Sequence, residues 1–530
     1  MDDPTLLKDR QQRLKALLNN PKTLKTIRAN LKEIAATERT LLWFWQTPSE
    51  STAQLYDMIY YNIPALTQIN ESTLFMQLSN LYKIFAAPAI TTLSPIVTLI
   101  LPYIMLRLFG ADVSISSIYE TLTAQVSAIA SRFSFGSNNG KVSPFVKYLS
   151  IAMWVVFYLQ GAYSSVMSAY NTNKIINNLH NKANNVAKFI RSHTTITQEL
   201  TKLAVKTDTL LSQCTLNPLF DHQTFKTSPT LLTNKGLILT SYYKLLRTKD
   251  QLIPAMMCIG EIDAYVSIAT LIEEKQYNFA EFTAPNSPHP TLQLKEMFHP
   301  ALNYKRATKN ALNINEKTPN ILITGPNKAG KSTYIKTTAI ALILAQTLTI
   351  CNAKQMTFTP FTYIDSYLNI PDCEGKESLY EAELNRCYQH FQKIKEFEET
   401  PNRYMFTIMD EIFSSTNNRE GEAAAYAILK KLTTYQNVVS LITTHYYTLS
   451  GLEKDTDNKI ANYKFTYYTD PYSTTPKFDY KIHKGSSNQY IALNLLKEKG
   501  FDDDIIESAY RKFNSRKTKK RTKRVSTKDK

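Results

Sequence analysis

The stretch Asn320-Ile321-Leu322-Ile323-Thr324-Gly325-Pro326-Asn327-Lys328-Ala329-Gly330-Lys331-Ser332-Thr333 constrains this chain more than any other. Ile321 to Thr324 read as a short buried strand, and Tyr334 to Gln346 form an apolar helical run. Between them lies Gly-x-x-x-x-Gly-Lys-Ser, the phosphate loop, in the strand-loop-helix context it requires. Its glycines let successive backbone N–H groups turn toward a phosphate, and the following helix adds the positive end of its dipole. Lys331 would then reach the β/γ-phosphates of a nucleotide, and the Ser332 hydroxyl would hold Mg²⁺. Only 13 glycines occur in 530 residues, so a chance match with the right flanks is a poor alternative.

A second strand, Arg403 to Met409, ends in Asp410-Glu411, 79 residues after Lys331. A carboxylate at a strand end beside a phosphate loop is placed to bind Mg²⁺, and its neighbour to orient or deprotonate a water. A third strand, Val438 to Thr444, ends on His445, within reach of a γ-phosphate or its water if the strands are neighbours. Between the first two lies Gly375-Lys376-Glu377-Ser378 opening a helix, which reads either as an ordinary N-cap or as a donor set for an anion.

In this order, Gly-Pro-Asn-x-x-Gly-Lys-Ser-Thr, Gly…Ser-x-x-x-x-Glu, Asp-Glu followed by Thr416-Asn417, and Thr-His, the chain resembles the MutS family of ABC-type ATPases. The resemblance runs from about Leu292 to Phe513 and more weakly includes Asp3 to Leu18, which is similar to the start of the family's helical core, or lever, domain. It implies ATP and Mg²⁺ as ligands, with Gly325, Pro326, Asn327, Lys328, Ala329, Gly330, Lys331, Ser332 and Thr333 at the phosphates and Ser332 with Asp410 at the metal. By the same resemblance Glu411 is the catalytic base and His445 the switch histidine. Asn310 would stand on the adenine side. Ser378 would touch the γ-phosphate held by the opposite subunit, and Asn417 would face that subunit. A homodimer follows, closed in part by the Gly485 to Ala509 region.

Two departures stand out: one extra residue between Gly375 and Ser378, and Lys328-Ala329 where Met-Gly is commoner. The chain also begins at the lever region, so no mismatch-reading or connector domain is expected ahead of it. A Phe279-Ala280-Glu281 triplet spells the family's mismatch-reading motif but falls in the wrong place. Mismatch recognition would then need a separate chain.

The rest of the chain reads as helical. Leu and Ile recur at three and four residues from Asp3 to about Trp45, with Pro21 as a break. Phe85–Leu106 and Tyr148–Tyr170 then carry no charge, flanked by Lys83, Arg107 and Lys147. Each is long enough to cross a hydrocarbon core of about 30 Å as a helix. They are candidates for a two-helix membrane hairpin, or else for a buried helix pair in a large α-domain.

The expected organisation is a helical lever domain in two parts (1–84 and 171–276), the apolar insertion (85–170), a linker (277–300), an α/β ATPase domain with dimerisation helices (301–513) and a tail (514–530). The formal net charge is +17, of which residues 511–530 supply +10 through eleven Lys/Arg and one Asp. Such a tail cannot build a core and suits DNA phosphates, anionic lipid or an import receptor. Five scattered cysteines and no apolar leader point to a reducing, intracellular setting, with nucleus, cytoplasm and membrane attachment left open. The functional expectation is a Mg²⁺-dependent ATPase moving helical levers on DNA, and the alternative a membrane-attached ATPase or scaffold in which DNA is incidental.

Overall fold

The computed structural model describes residues 3–513 apart from 47–55, 58, 96, 98–100, most of 111–143, 204–229, 231, 284–288, 369–377, 399–402, 470–475 and several positions between 488 and 498. The basic tail and residues 374–377 therefore lie outside the described residues. The chain divides into two compact units, residues 1–19 with 264–530, and residues 20–263.

The first unit is built on a six-stranded sheet in the order β14-β11-β5-β10-β9-β8. Its members are β5 (Asn320–Thr324), β8 (Tyr363–Tyr367), β9 (Met405–Asp410), β10 (Val438–Thr444), β11 (Ile460–Lys464) and β14 (His483–Lys484). All neighbours are parallel except β14, which runs against β11. Every residue of β5, β9 and β10 is buried, as parallel strands covered on both faces must be, and this is why they read as unbroken apolar runs. The helix Lys331–Leu348 follows β5 and buries Tyr334, Ile335, Leu342 and Ala345 in the main core.

A second sheet, β2-β7-β3-β4, flanks the first. It comprises β2 (Glu281–Phe282), β3 (Leu292–Met297), β4 (Asn310–Ile314) and β7 (Gln355–Phe358). The expected linker at 277–300 therefore carries strands β2 and β3 as well as β1 (Asn278–Phe279), which pairs with β6 (Ile350–Cys351). The prolines that suggested a linker cluster at 285–290 and at Pro300, outside the strands, and Leu292 and Leu294 alternate into the core. Phe279 and Glu281 of the Phe-Ala-Glu triplet sit within these strands, and Thr357 Oγ1 donates to Glu281 Oε2 at 3.0 Å.

Residues 1–19, expected in the lever domain, join this unit. Asp3 Oδ1 caps the helix Pro4–Leu18 by accepting from Thr5 N at 2.8 Å. Arg10 donates to Thr347 O at 2.8 Å, and Gln11 Nε2 donates to Ala280 O at 2.5 Å. The helix thus covers the carbonyl end of the phosphate-loop helix.

The second unit is helical. Helix Pro21–Leu42 lies antiparallel along the 58-residue helix Pro144–Thr201. Three polar bonds fix the register: Thr23 to Glu199 at 3.1 Å, Ser192 to Glu33 at 3.1 Å and Asn185 to Thr40 at 3.3 Å. Leu24, Ile27, Leu31 and Leu41 on one helix, and Ile176, Leu179, Val186 and Ile190 on the other, fill the seam at the helical period. At about 1.5 Å per residue the long helix extends roughly 87 Å, a rigid arm.

The apolar runs differ from the hairpin expectation. Of the first run the described parts are a π turn (Tyr82–Ala86) and the helical stretches Ala87–Pro95 and Leu101–Leu108, with residues 96 and 98–100 outside the described residues. The second run is not a separate span but the start of the 58-residue arm. Among the described residues only Lys235–Glu274 is long and apolar enough to cross a membrane by length and composition, and 44% of its apolar window is buried. A transmembrane hairpin at 85–170 therefore finds no support in these lengths. Cys351 and Cys387 are free and buried, whereas Cys258 is held in a disulfide, of which the spacing gave no sign.

Candidate nucleotide-binding site

Parallel register brings the chemistry to one edge of the sheet. Thr324 of β5 pairs with Thr444 of β10, and Thr443 pairs with Asp410 of β9. The three strands therefore end level, and the residues that follow them, Gly325, His445 and Glu411, stand side by side. Pro326 to Tyr334, Glu411, Asn310 and Tyr480 line a cleft of about 670 Å³, ample for a nucleotide.

The loop shape depends on backbone that few residues tolerate. Gly325 has φ +150°, and a Cβ there would stand 2.6 Å from the Phe465 carbonyl oxygen. Gly330 has φ +102° and is the N-cap of the Lys331 helix. Lys328, between them, also takes a left-handed φ of +64°.

Lys331 is 4% exposed and donates to Gly325 O at 3.0 Å and Pro326 O at 3.3 Å. Burial lowers its pKa, opposed by the charges of Glu411 and Asp410. Its ammonium is 3.8 Å from Glu411 Oε1, which lies 2.6 Å from His445 Nε2. That hydrogen bond, with the His445 and Lys331 charges, holds the Glu411 carboxyl below its ordinary value although burial acts the other way. Asp410 is buried, and Thr443 Oγ1 donates to its Oδ1 in a very short bond. Thr443 also receives Glu411 N–H, through its carbonyl at 3.1 Å and its hydroxyl at 3.3 Å. Both acids are thus fixed from the neighbouring strand, a role for Thr443 that the sequence signalled only as part of Thr-Thr-His.

The Ser332 hydroxyl and the Asp410 carboxylate are hard oxygen donors, which suit Mg²⁺ and not softer metals. No group of three or more His, Cys, Asp or Glu able to hold a metal occurs among the described residues. A two-oxygen protein set fits an ion that completes its shell with water and substrate phosphate.

The remaining candidates lie apart. Asn310 lines the cleft, but its side chain is engaged: Nδ2 donates to Tyr480 O and Oδ1 accepts from Ile482 N, both at 3.0 Å. It pins the 480–482 segment over the cleft, and Tyr480, which the sequence did not single out, forms part of the wall. Ser378 is exposed and caps the helix Leu379–Glu398, its Oγ accepting from Glu381 N at 3.2 Å. Asn417 caps the helix Asn418–Leu432 through Arg419 N at 3.1 Å. Neither lines the cleft of its own chain. Past the site, Gln489 bonds both backbone groups of Tyr467, at 3.1 and 3.2 Å, and Ser487 N donates to Thr324 Oγ1 at 2.8 Å.

Residues 321–517 match the family model for MutS domain V, which in MutS is the ATPase domain. The chain is similar to the DNA mismatch repair protein MutS of Persephonella marina, 27% identical over 48% of this chain and 28% of that protein. It is also similar to the DNA mismatch repair protein Msh3 of Dictyostelium discoideum, 27% identical over 37% of this chain and 14% of that protein. The MutS of Carboxydothermus hydrogenoformans is 26% identical over 50% of this chain and 31% of that protein. The chain thus spans less than a third of the length of these curated relatives. These matches show the likeness to MutS proteins to lie in a domain V in the C-terminal part of the chain.

Proposed function

We propose that the chain is a Mg²⁺-dependent ATPase of the MutS type, working as a homodimer in which nucleotide binding and hydrolysis move helical levers on DNA. One observation carries the reading: three parallel strands end level, so that Glu411 lines the cleft beside Lys331, with Asp410 before it in the chain and His445 bonded to it. The DNA side rests on the relatives' names as DNA mismatch repair proteins and on the basic balance of the chain.

The chemistry follows from what each group now does. Lys331 bonds loop carbonyls, and a nucleotide's phosphates would draw its ammonium away, exchanging two neutral acceptors for charged ones. Mg²⁺, held by Ser332 and Asp410, would neutralise phosphate charge. Glu411, kept ionised by His445, can accept a proton from an attacking water. His445 leaves Glu411 as that proton arrives, and can then donate toward the departing phosphate.

Lys331→Ala should bind ATP poorly, because the phosphates lose a buried cation. Glu411→Gln should bind ATP at close to wild-type affinity and turn over at least about a hundredfold more slowly. Nucleotide filter binding and phosphate release, measured on the purified proteins, decide this. Wild-type turnover by Glu411→Gln would remove Glu411 from the base role.

A second reading is a membrane-attached ATPase, and the apolar arm favours it. Met153, Trp154, Val155, Val156 and Phe157 are between 39% and 64% exposed. These five successive positions each keep part of their apolar surface exposed, beside the side on which helix Ala87–Pro95 packs. A helix apolar all round calls for burial or lipid.

A further inference from the structure

Glu383 is a buried acid on the helix that Ser378 opens, and the chemistry above does not use it. It is 6% exposed, and its Oε2 accepts from Ser415 Oγ at 2.7 Å. Among the described residues its one hydrogen-bond partner is that hydroxyl; a buried acid so lightly held is costly where an apolar side chain would pack, so its presence needs a reason. Ser415 belongs to the loop 411–417, which begins at Glu411. The same helix start holds that loop a second time, through Tyr380 packed edge-on against Phe413 at 5.9 Å.

The loop needs holding. Glu411 has φ +56° and Phe413 φ +55°, left-handed conformations that persist only when their surroundings enforce them. On the opposite side Tyr446 Oη donates to Phe413 O at 2.7 Å, and the residue before it, His445, bonds Glu411. A continuous set of contacts therefore runs from Ser378, through Glu383 and Tyr380, to the Glu411–His445 pair.

We infer that Glu383 is a positioning residue that ties the angle of the Glu411 loop to the position of the Ser378 helix, so that engagement of Ser378 by a partner's nucleotide sets the geometry of Glu411. The inference rests on the reading of Glu411 as base and Ser378 as a contact to the opposite subunit. Since a misplacement of about 1 Å can cost roughly a hundredfold in rate, Glu383→Ala should lose roughly ten- to a hundredfold in kcat while KM and ATP affinity stay within about twofold. Ser415→Ala should lose a similar factor, and the double variant should be no worse than the weaker single. Glu383→Gln should recover most of the rate, because its amide oxygen still accepts from Ser415.

The test is steady-state ATP hydrolysis, equilibrium binding of a fluorescent ATP analogue and thermal melting, on full-length wild type and these four variants. A folded Glu383→Ala with wild-type kcat overturns the inference. So does a loss in Glu383→Gln equal to that in Glu383→Ala, or additive losses in the double variant. Should Glu383→Ala fail to fold, wild-type kcat in Ser415→Ala overturns it equally. A wild-type chain that binds ATP without hydrolysing it would instead overturn the reading beneath it, since there would be no rate for any variant to lose.

Discussion

Lys331 and Glu411 sit 3.8 Å apart with their charges already spoken for, one by loop carbonyls and one by His445. The two acids are held from the neighbouring strand and the lysine by its own loop, which is how one edge keeps all three in a small space. The same economy appears at the far strand. Asp365 of β8 has Oδ2 2.6 Å from His390 Nδ1 and Oδ1 3.3 Å from Arg386. Burial acts to raise its carboxyl, but the His390 hydrogen bond and charge, the Ser366 N–H and Arg386 outweigh it and hold the pKa down. A depressed carboxylate stabilises the fold above its unfolded value of about 3.9 and loses that contribution as pH falls through the lowered folded value. Asp365→Asn should therefore cost about 1–3 kcal/mol at neutral pH, the order expected when a buried donor loses its acceptor. The difference from wild type should narrow below about pH 4, where the wild-type carboxyl also begins to protonate. Urea unfolding at neutral and acid pH measures both, and a difference undiminished at low pH would show that charge is not what Asp365 contributes.

Legibility at the level of elements followed burial. β5, β9 and β10 are buried on both faces, so their apolar runs stand out, and the motif residues at their ends could be named before any coordinates. β3 and β4 have one exposed face, and β1, β2 and β14 are only two residues long. Alternation over so few positions is easily hidden by nearby prolines, and 277–300 was misread for that reason. The arm Pro144–Thr201 was misread differently: its composition changes near residue 171 while its backbone does not, because composition reports surroundings and not helix continuity. Glu383 was visible only as a letter in a motif, since its partner Ser415 is 32 residues away. Ser378 and Asn417, exposed caps standing off their own cleft, invite a test of action between subunits. Ser378→Arg should allow ATP binding but prevent closure, and Lys331→Ala should lack ATP. Mixed dimers of the two should regain one composite site, and so roughly a quarter to a half of the wild-type rate per dimer if sites act independently. Mixtures as inactive as either parent, with mixed dimers demonstrated by tagged pull-down, would end the idea of action between subunits.

For the molecule as a whole the question is what covers the apolar surface of residues 85–109 and 148–170. Ile90, Leu101, Leu106 and Leu108 are 48–75% exposed, as are Val156, Phe157 and Leu159 at 57–64%. Exposed apolar patches of such extent mark an interaction surface. Helix Ala87–Pro95 already packs on the arm, where Tyr158 Oη donates to Thr92 O at 2.6 Å, yet the outward faces stay bare. A protein partner covers one face of a helix, whereas lipid covers all of them, and residues 148–170, at the start of the arm, extend about 35 Å along it, near the thickness of a hydrocarbon core. Lys83, Arg107, Lys147 and Lys174 stand at the ends of the two runs, where basic side chains meet anionic headgroups. The full-length chain should therefore float with vesicles of phosphatidylcholine and phosphatidylserine and resist carbonate extraction. A Val156→Arg, Leu159→Arg double variant should float poorly, because each arginine at mid-helix costs about 2.5–3.5 kcal/mol on insertion. Its ATP hydrolysis should stay near wild type, since neither residue belongs to the unit that holds the cleft. Sedimentation of the wild-type chain as a detergent-free soluble dimer, with no vesicle flotation, would remove the membrane and leave these helices for a protein partner or for the DNA-facing levers themselves.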